Sequence, residues 1–225
     1  MKTKTLALIT LAALSACGAN ITEKRTGQVA ALTSTECTTR TVNVLIIGDS
    51  ISLGYTHIVA KDLPKIHIVH SSIDGSAGED ATNARNSSWT LAHIDEYLAL
   101  CPKWDVITWN NGLWDISSKT FTPIAEYADN LIRIASKLQA TGARVAFFNT
   151  TPIFTGSSYC DPALVAPYNA AAFAALANSD VELVDMNAYA QLSAEYQDQG
   201  GIHFNQFGYI FLSKYVTFTI ERLLI

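Results

Sequence analysis

Charge is sparse in this chain. Only 16% of its 225 residues are Asp, Glu, Lys or Arg, and the balance is a modest net charge of -5. There is no basic stripe or cluster, which argues against nucleic acid and against electrostatic docking on anionic lipid. Cysteine is also sparse, with four in the chain, too few for a disulfide-built scaffold. No Cys-x-x-Cys, His-Glu-x-x-His or acidic cluster offers metal ligands, so neither a metal nor another cofactor is expected. The turn from Gly48 to Gly54 lacks the hydroxyl- and glycine-rich loop that would cradle a phosphate. No internal repeat and no low-complexity tract interrupts the chain. The longest apolar run near the start, Leu6 to Leu14, is too short to span a bilayer comfortably.

What is present is apolar: 49% of residues are hydrophobic, enough for one globular domain with a core that needs no staples. The first residues read as an export signal. Lys2 and Lys4 form a positive start, Leu6 to Leu14 an apolar centre, and Leu14-Ser15-Ala16-Cys17 a bacterial lipobox. Cleavage before Cys17 would leave a cysteine to be acylated, and several acyl chains together give stable anchoring. The alternative is an ordinary signal peptide with an incidental cysteine. Gly18 follows Cys17, without an aspartate to suggest retention at an inner membrane, so the expected address is an outer membrane or cell surface. Residues 18–40 are rich in Thr, Ser and Gly and read as a tether, leaving residues 41–225 as the folded domain. Cys37, Cys101 and Cys160 allow one intramolecular disulfide at most, or serve as small apolar packers; the sequence does not choose.

From Val42 onward, short β-branched runs alternate with helical periodicities. Strands are expected at Val42–Ile47, Lys65–Val69, Trp104–Trp109, Val145–Phe148 and Val181–Val184. Helices are expected at Gly54–Leu63, Trp89–Leu98, after Pro123, at Ala163–Asn178 and at Gln206–Leu223. The helix after Pro123 presents Ile124, Tyr127, Leu131, Ile134 and Leu138 on its inner face. This alternation predicts an α/β fold: a three-layer α/β/α sandwich around a flavodoxin-like, five-stranded parallel sheet.

Chemistry-bearing residues gather where strands end, the edge at which open α/β sheets place their sites. Val42 to Ile47 stops at Gly48-Asp49-Ser50. A polar loop, Asp74 to Ser87, follows the second strand. Trp109-Asn110-Asn111-Gly112-Leu113-Trp114-Asp115 closes the third, and Gly201-Ile202-His203-Phe204-Asn205 precedes the last helix. A serine hydroxyl is a weak nucleophile until a base accepts its proton. Histidine, with an ordinary pKa near neutrality, is the natural base. Acyl transfer also needs donors for the oxyanion, and backbone N–H groups or an asparagine amide can provide them.

Gly48-Asp49-Ser50-Ile51-Ser52, together with Gly201-Ile202-His203-Phe204-Asn205 and the following Gly208-Tyr209, resembles the first and last blocks of the SGNH (GDSL-type) hydrolases, a family of esterases, lipases and carbohydrate deacetylases. The resemblance runs from about Val42 to the C-terminus. It implies Ser50 as nucleophile and His203 as base. The family usually has an acid three residues before the histidine, where this chain has Gly200. Asp198 and Glu195 are the nearby substitutes for orienting the imidazole, Asp198 the favoured one, and a backbone carbonyl would leave a Ser–His dyad. The asparagine of the third block is displaced to Asn110 or Asn111, with Asn110 favoured. The second-block N–H donor is Gly75 in one alignment and Ala84, within Asn83-Ala84-Arg85, in another.

The other residues of these types read as structural. His57, His67, His70 and His93 lack a catalytic context, and Trp89 and Trp109 suit a core. Trp114 also suits a core, with stacking on a sugar as the alternative because it follows the third block, and Arg85 is an ordinary surface or salt-bridged arginine. The expectation is a lipid-anchored, extracytoplasmic serine esterase acting through an acyl-enzyme, with O-acetylated glycans as the candidate substrate. A lipase or lysophospholipase is the nearest rival, and a binding protein on a decayed hydrolase scaffold the rival of another class.

Overall fold

A computed structural model describes residue 37 and residues 42–71, 83–154, 157–198 and 200–225. All of them belong to one compact unit, Ala31–Ile225. Cys17, the signal segment, most of the tether and Gly75 lie outside the described residues.

Five strands form one parallel sheet: β1 (Asn43–Ile47), β2 (His67–His70), β3 (Val106–Asn110), β4 (Arg144–Phe148) and β5 (Glu182–Val184). Their order is β2-β1-β3-β4-β5, the doubly wound arrangement. Every residue of β1 is buried, because a central parallel strand is covered on both faces and so needs no polar alternation. The helices are α1 (Ser50–Asp62), α2 (Ser87–Leu98), α3 (Ile124–Gln139), α4 (Val165–Leu176), α5 (Met186–Gln191) and α6 (Gln206–Leu223). α6 packs on α1 and α5, while α3 packs between α2 and α4. These two groups cover the two faces of the sheet, and the expected three-layer sandwich is present.

Three local differences from the sequence reading have simple causes. α1 starts at Ser50 rather than Gly54, because Asp49 caps it, its carboxylate accepting the Ile51 N–H at 3.0 Å. α5 is too short to show a period. Ile124 is exposed at the first turn of α3, and Asn130 takes a place on the inner face, its amide donating to the hydroxyls of Ser87 (3.1 Å) and Ser88 (2.9 Å).

Cys37 and Cys101 form a disulfide with their Cα atoms 5.7 Å apart. Cys101 precedes β3, so the bridge lies at the edge where the strands begin. Cys160 is a free, buried thiol.

Candidate active site

Ser50 is the first residue of α1, directly beyond the end of β1. The helix N-terminus points its dipole and unpaired N–H groups toward this position, which favours developing negative charge. The turn is held on every side. Gly48 N–H donates to Ser71 Oγ (3.3 Å), and Gly48 O accepts from Ala84 N–H (2.8 Å). Asp49 O accepts from Leu53 N–H (3.1 Å) and lies 2.7 Å from Ser52 Oγ. Gly48 has to be glycine, since a Cβ there would collide with Asn110 Oδ1 and Ser52 Oγ.

Ser50 Oγ lies 2.8 Å from His203 Nε2, across 153 residues of sequence. His203 sits on a hairpin in which Gln197 pairs with Phe204. Asp198 N–H donates to His203 O (2.8 Å), and Asn205 N–H donates to Tyr196 O (2.7 Å). Gly201 turns the hairpin with φ at +70°, a conformation glycine adopts without strain. Asn205 then caps α6, its side chain accepting from the N–H groups of Phe207 (2.9 Å) and Gly208 (3.2 Å). With Ser50 donating to Nε2, the imidazole proton is on Nδ1, which faces Asp198 Oδ2 at 4.0 Å. That is an ion-pair distance but too long for a hydrogen bond. Both side chains are nearly half exposed, 47% and 44%. Among the described residues no ion pair joins Glu195 to His203, and Gly200 contributes no acid.

Asn110, the last residue of β3, is half-buried beside the nucleophile turn. Its amide donates to the Asp49 carboxylate. Burial pushes the Asp49 carboxyl up, against hydrogen bonds from Ile51 N–H and the Asn110 amide and the charge of His203. Asn111 points elsewhere. It is 1% exposed, and both its N–H bonds are engaged, with Arg85 O (3.1 Å) and Thr90 Oγ1 (2.9 Å). Its role is to tie the β3 loop to the segment before α2. Ala84 is fully buried and its N–H is committed to Gly48 O. It therefore braces the nucleophile turn and has no N–H to offer an oxyanion, a correction to the sequence alignment that selected it. Arg85 is the one described non-glycine residue at positive φ (52°), its N–H held by Asn83 Oδ1 at 2.8 Å and its guanidinium 4.2 Å over Trp89.

Several residues near the site were not singled out by their sequence context. Ser52 and His70 are buried and 2.7 Å apart, and His70 Nδ1 lies 3.0 Å from Ser71 O. Burial pushes His70 down to about 4, so its ring is neutral near pH 7. Asp115 is fully buried against Ser87, accepting its N–H (3.0 and 3.1 Å) and its hydroxyl (2.6 Å). Burial raises the Asp115 carboxyl to about 6. Thr150, just past β4, is gripped by Asn169, which accepts its N–H and donates to its C=O, both at 2.9 Å. Trp114 is half-buried, Trp109 is core, and His93 stacks on Trp89 with ring centroids 3.9 Å apart. Among the described residues no group of three or more His, Cys, Asp or Glu side chains gathers to hold a metal ion.

No protein-family model and no curated protein matches the sequence. Solved structures do match its fold. An acetyl xylan esterase, AlAXEase, superposes with a TM-score of 0.64 at 14% identity, over 80% of this chain and all of that one. A lipase/acylhydrolase from Enterococcus faecalis matches with a TM-score of 0.66 at 16% identity, covering 80% of this chain and 96% of its own. TesA matches with a TM-score of 0.63 at 22% identity, over 81% and 98% of the two chains. These neighbours share the architecture of this chain over about four fifths of its length: the domain has the fold of the SGNH (GDSL-type) hydrolases.

Proposed function

We propose that this chain is a serine carboxylic ester hydrolase working through an acyl-enzyme. The observation that carries the reading is the 2.8 Å approach of Ser50 Oγ to His203 Nε2 at the carboxyl edge of the sheet. His203 accepts the Ser50 proton as Oγ attacks the ester carbonyl. The oxyanion is met by the Ser50 N–H, which has no acceptor among the described residues, and by the second amide N–H of Asn110, the one not given to Asp49. The resulting imidazolium gives its proton to the departing alcohol. His203 then takes a proton from water, whose attack on the acyl-enzyme releases the acid and restores Ser50. Asp198 supports the imidazolium through charge across solvent rather than through a hydrogen bond.

The substrate we favour is a short-chain ester, in particular an O-acetyl group on a glycan outside the cytoplasm. The lipobox-like Leu14 to Cys17 and the disulfide between Cys37 and Cys101 support an exported, lipid-anchored protein. The acetyl xylan esterase of the same fold supports an acetyl ester. Hydrolysis of p-nitrophenyl acetate and covalent labelling by a fluorophosphonate test the reading together. The wild type should do both, and Ser50→Ala neither. A wild type inert in both assays overturns it.

A further inference from the structure

An imidazole that lacks a hydrogen-bonded acid must be held in register by something else. Taking the hydrolase reading as its basis, we propose that Gln197 is a positioning residue for His203, fastening the hairpin that carries the base to the end of the sheet.

The hairpin has two legs with His203 between them. The leg that follows His203 is secured through Phe204, which is buried, and through Asn205 at the start of α6. In the leg that precedes it, Tyr196 packs near Phe207 of α6, and Gln197 is the side chain that reaches the backbone after β4. Gln197 Oε1 accepts the Phe154 N–H at 2.9 Å, and its Nε2 donates to Pro152 O at 2.8 Å, with Ile202 O a further 3.5 Å neighbour. The amide thus binds the backbone after β4 as an added strand residue would, through one donor and one acceptor two residues apart. That backbone is itself rigid, because Asn169 holds both the N–H and the C=O of Thr150. The backbone that leaves β4 through Thr150, Pro152 and Phe154 is therefore joined to Gln197 by two hydrogen bonds. From Gln197, its cross-strand pairing with Phe204 brings this link to the residue beside His203. In sites with a hydrogen-bonded acid, that acid fixes the imidazole. Here the nearest carboxylate stands at 4.0 Å and is 44% exposed, so the hairpin backbone supplies the orientation.

The test replaces the amide and counts only competent molecules. Active-site titration with a fluorophosphonate gives the concentration of folded enzyme, and kcat on p-nitrophenyl acetate is then expressed per titrated site. Gln197→Met removes both hydrogen bonds at similar volume. It should lower kcat by about 10- to 100-fold, the scale of a misplacement near 1 Å, with KM within about twofold. The fluorophosphonate labelling rate should fall by a similar factor, because the proton acceptor for Ser50 is displaced. Gln197→Glu keeps an acceptor for the Phe154 N–H but sets a carboxylate oxygen against Pro152 O, and should lower kcat per site at least as far as the Met variant. A residue that merely stabilised the fold would lower the titrated fraction and the melting temperature while leaving kcat per site unchanged. That result in Gln197→Met, or in Gln197→Glu where the Met variant does not fold, overturns the assignment. An unlabelled wild type would instead remove the hydrolase reading on which it rests.

Discussion

Asp198 and His203 meet across 4.0 Å of partly open solvent, and the distance sets how much the acid contributes. A buried, hydrogen-bonded acid in a serine hydrolase is worth about four orders of magnitude in kcat. An exposed ion pair is worth about 0.2–1 kcal/mol, so Asp198→Asn should cost only about two- to fivefold, read from steady-state kcat on p-nitrophenyl acetate. Asn110→Ala should cost about a hundredfold or more in kcat, the toll of one lost oxyanion donor. Asn111→Ala should act instead on stability, measured by thermal melting, because it removes the amide that joins Arg85 O to Thr90 Oγ1 and leaves a gap at a buried position. The pairing of Ser50 with His203 is legible in sequence, since both side chains sit at strand or helix ends whose edge the topology dictates. The engagement of Ala84 and the clamp at Gln197 are not, because they depend on where one N–H points and on contacts across dozens of residues.

Among the elements, α1 carries the nucleophile, α6 follows the base, and Gly54 of α1 lies against Tyr209 of α6. A Cβ there would overlap the Tyr209 ring. Gly54→Ala gains about 1 kcal/mol of helix propensity, yet must push that ring aside, and overpacking costs about 1–3 kcal/mol. The clash wins where the ring is held on both sides, and Tyr209 also meets Phe204 edge-on at 6.1 Å. Gly54→Ala should therefore melt several degrees lower than wild type by circular dichroism. The strands are readable as β-branched runs because a parallel sheet covered on both faces demands them. Helix starts are harder: Ser50 and Ser52 look like loop residues until Asp49 is seen to cap them.

For the whole molecule, two buried groups oppose each other as pH changes. Asp115 holds its proton to about 6 in the folded state against 3.8 in a free side chain. Between those values the folded chain binds more protons than the unfolded one, and stability falls as pH rises. His70 is depressed to about 4 from 6.5, so the unfolded chain binds more protons and stability rises with pH across the same window. Asp49, also raised by burial, adds to the Asp115 side. Denaturant midpoints of the wild type should change little between pH 4 and 6. Asp115→Asn should make stability rise with pH across this window, and His70→Gln should make it fall. A parallel response in both variants would show that neither group governs the profile. The sandwich itself was legible in the alternation of strand and helix patterns. Choosing the partner of Cys37 was not, since it depends on which thiol the tertiary fold brings within bridging distance.

The Cys37–Cys101 bridge closes a span of 64 residues, a loop for which chain entropy gives about 4 kcal/mol of stabilisation. Its location matters as much as its strength. Any pull applied ahead of Cys37, from a bead, a chip surface or a fused passenger, enters the body at the edge where the strands begin. Ser50 and His203 stand at the other edge. Protein coupled to a solid support through its N-terminal segment should therefore turn over esters as fast as free protein, and reducing the bridge on such a support should loosen the mounting before it touches the chemistry.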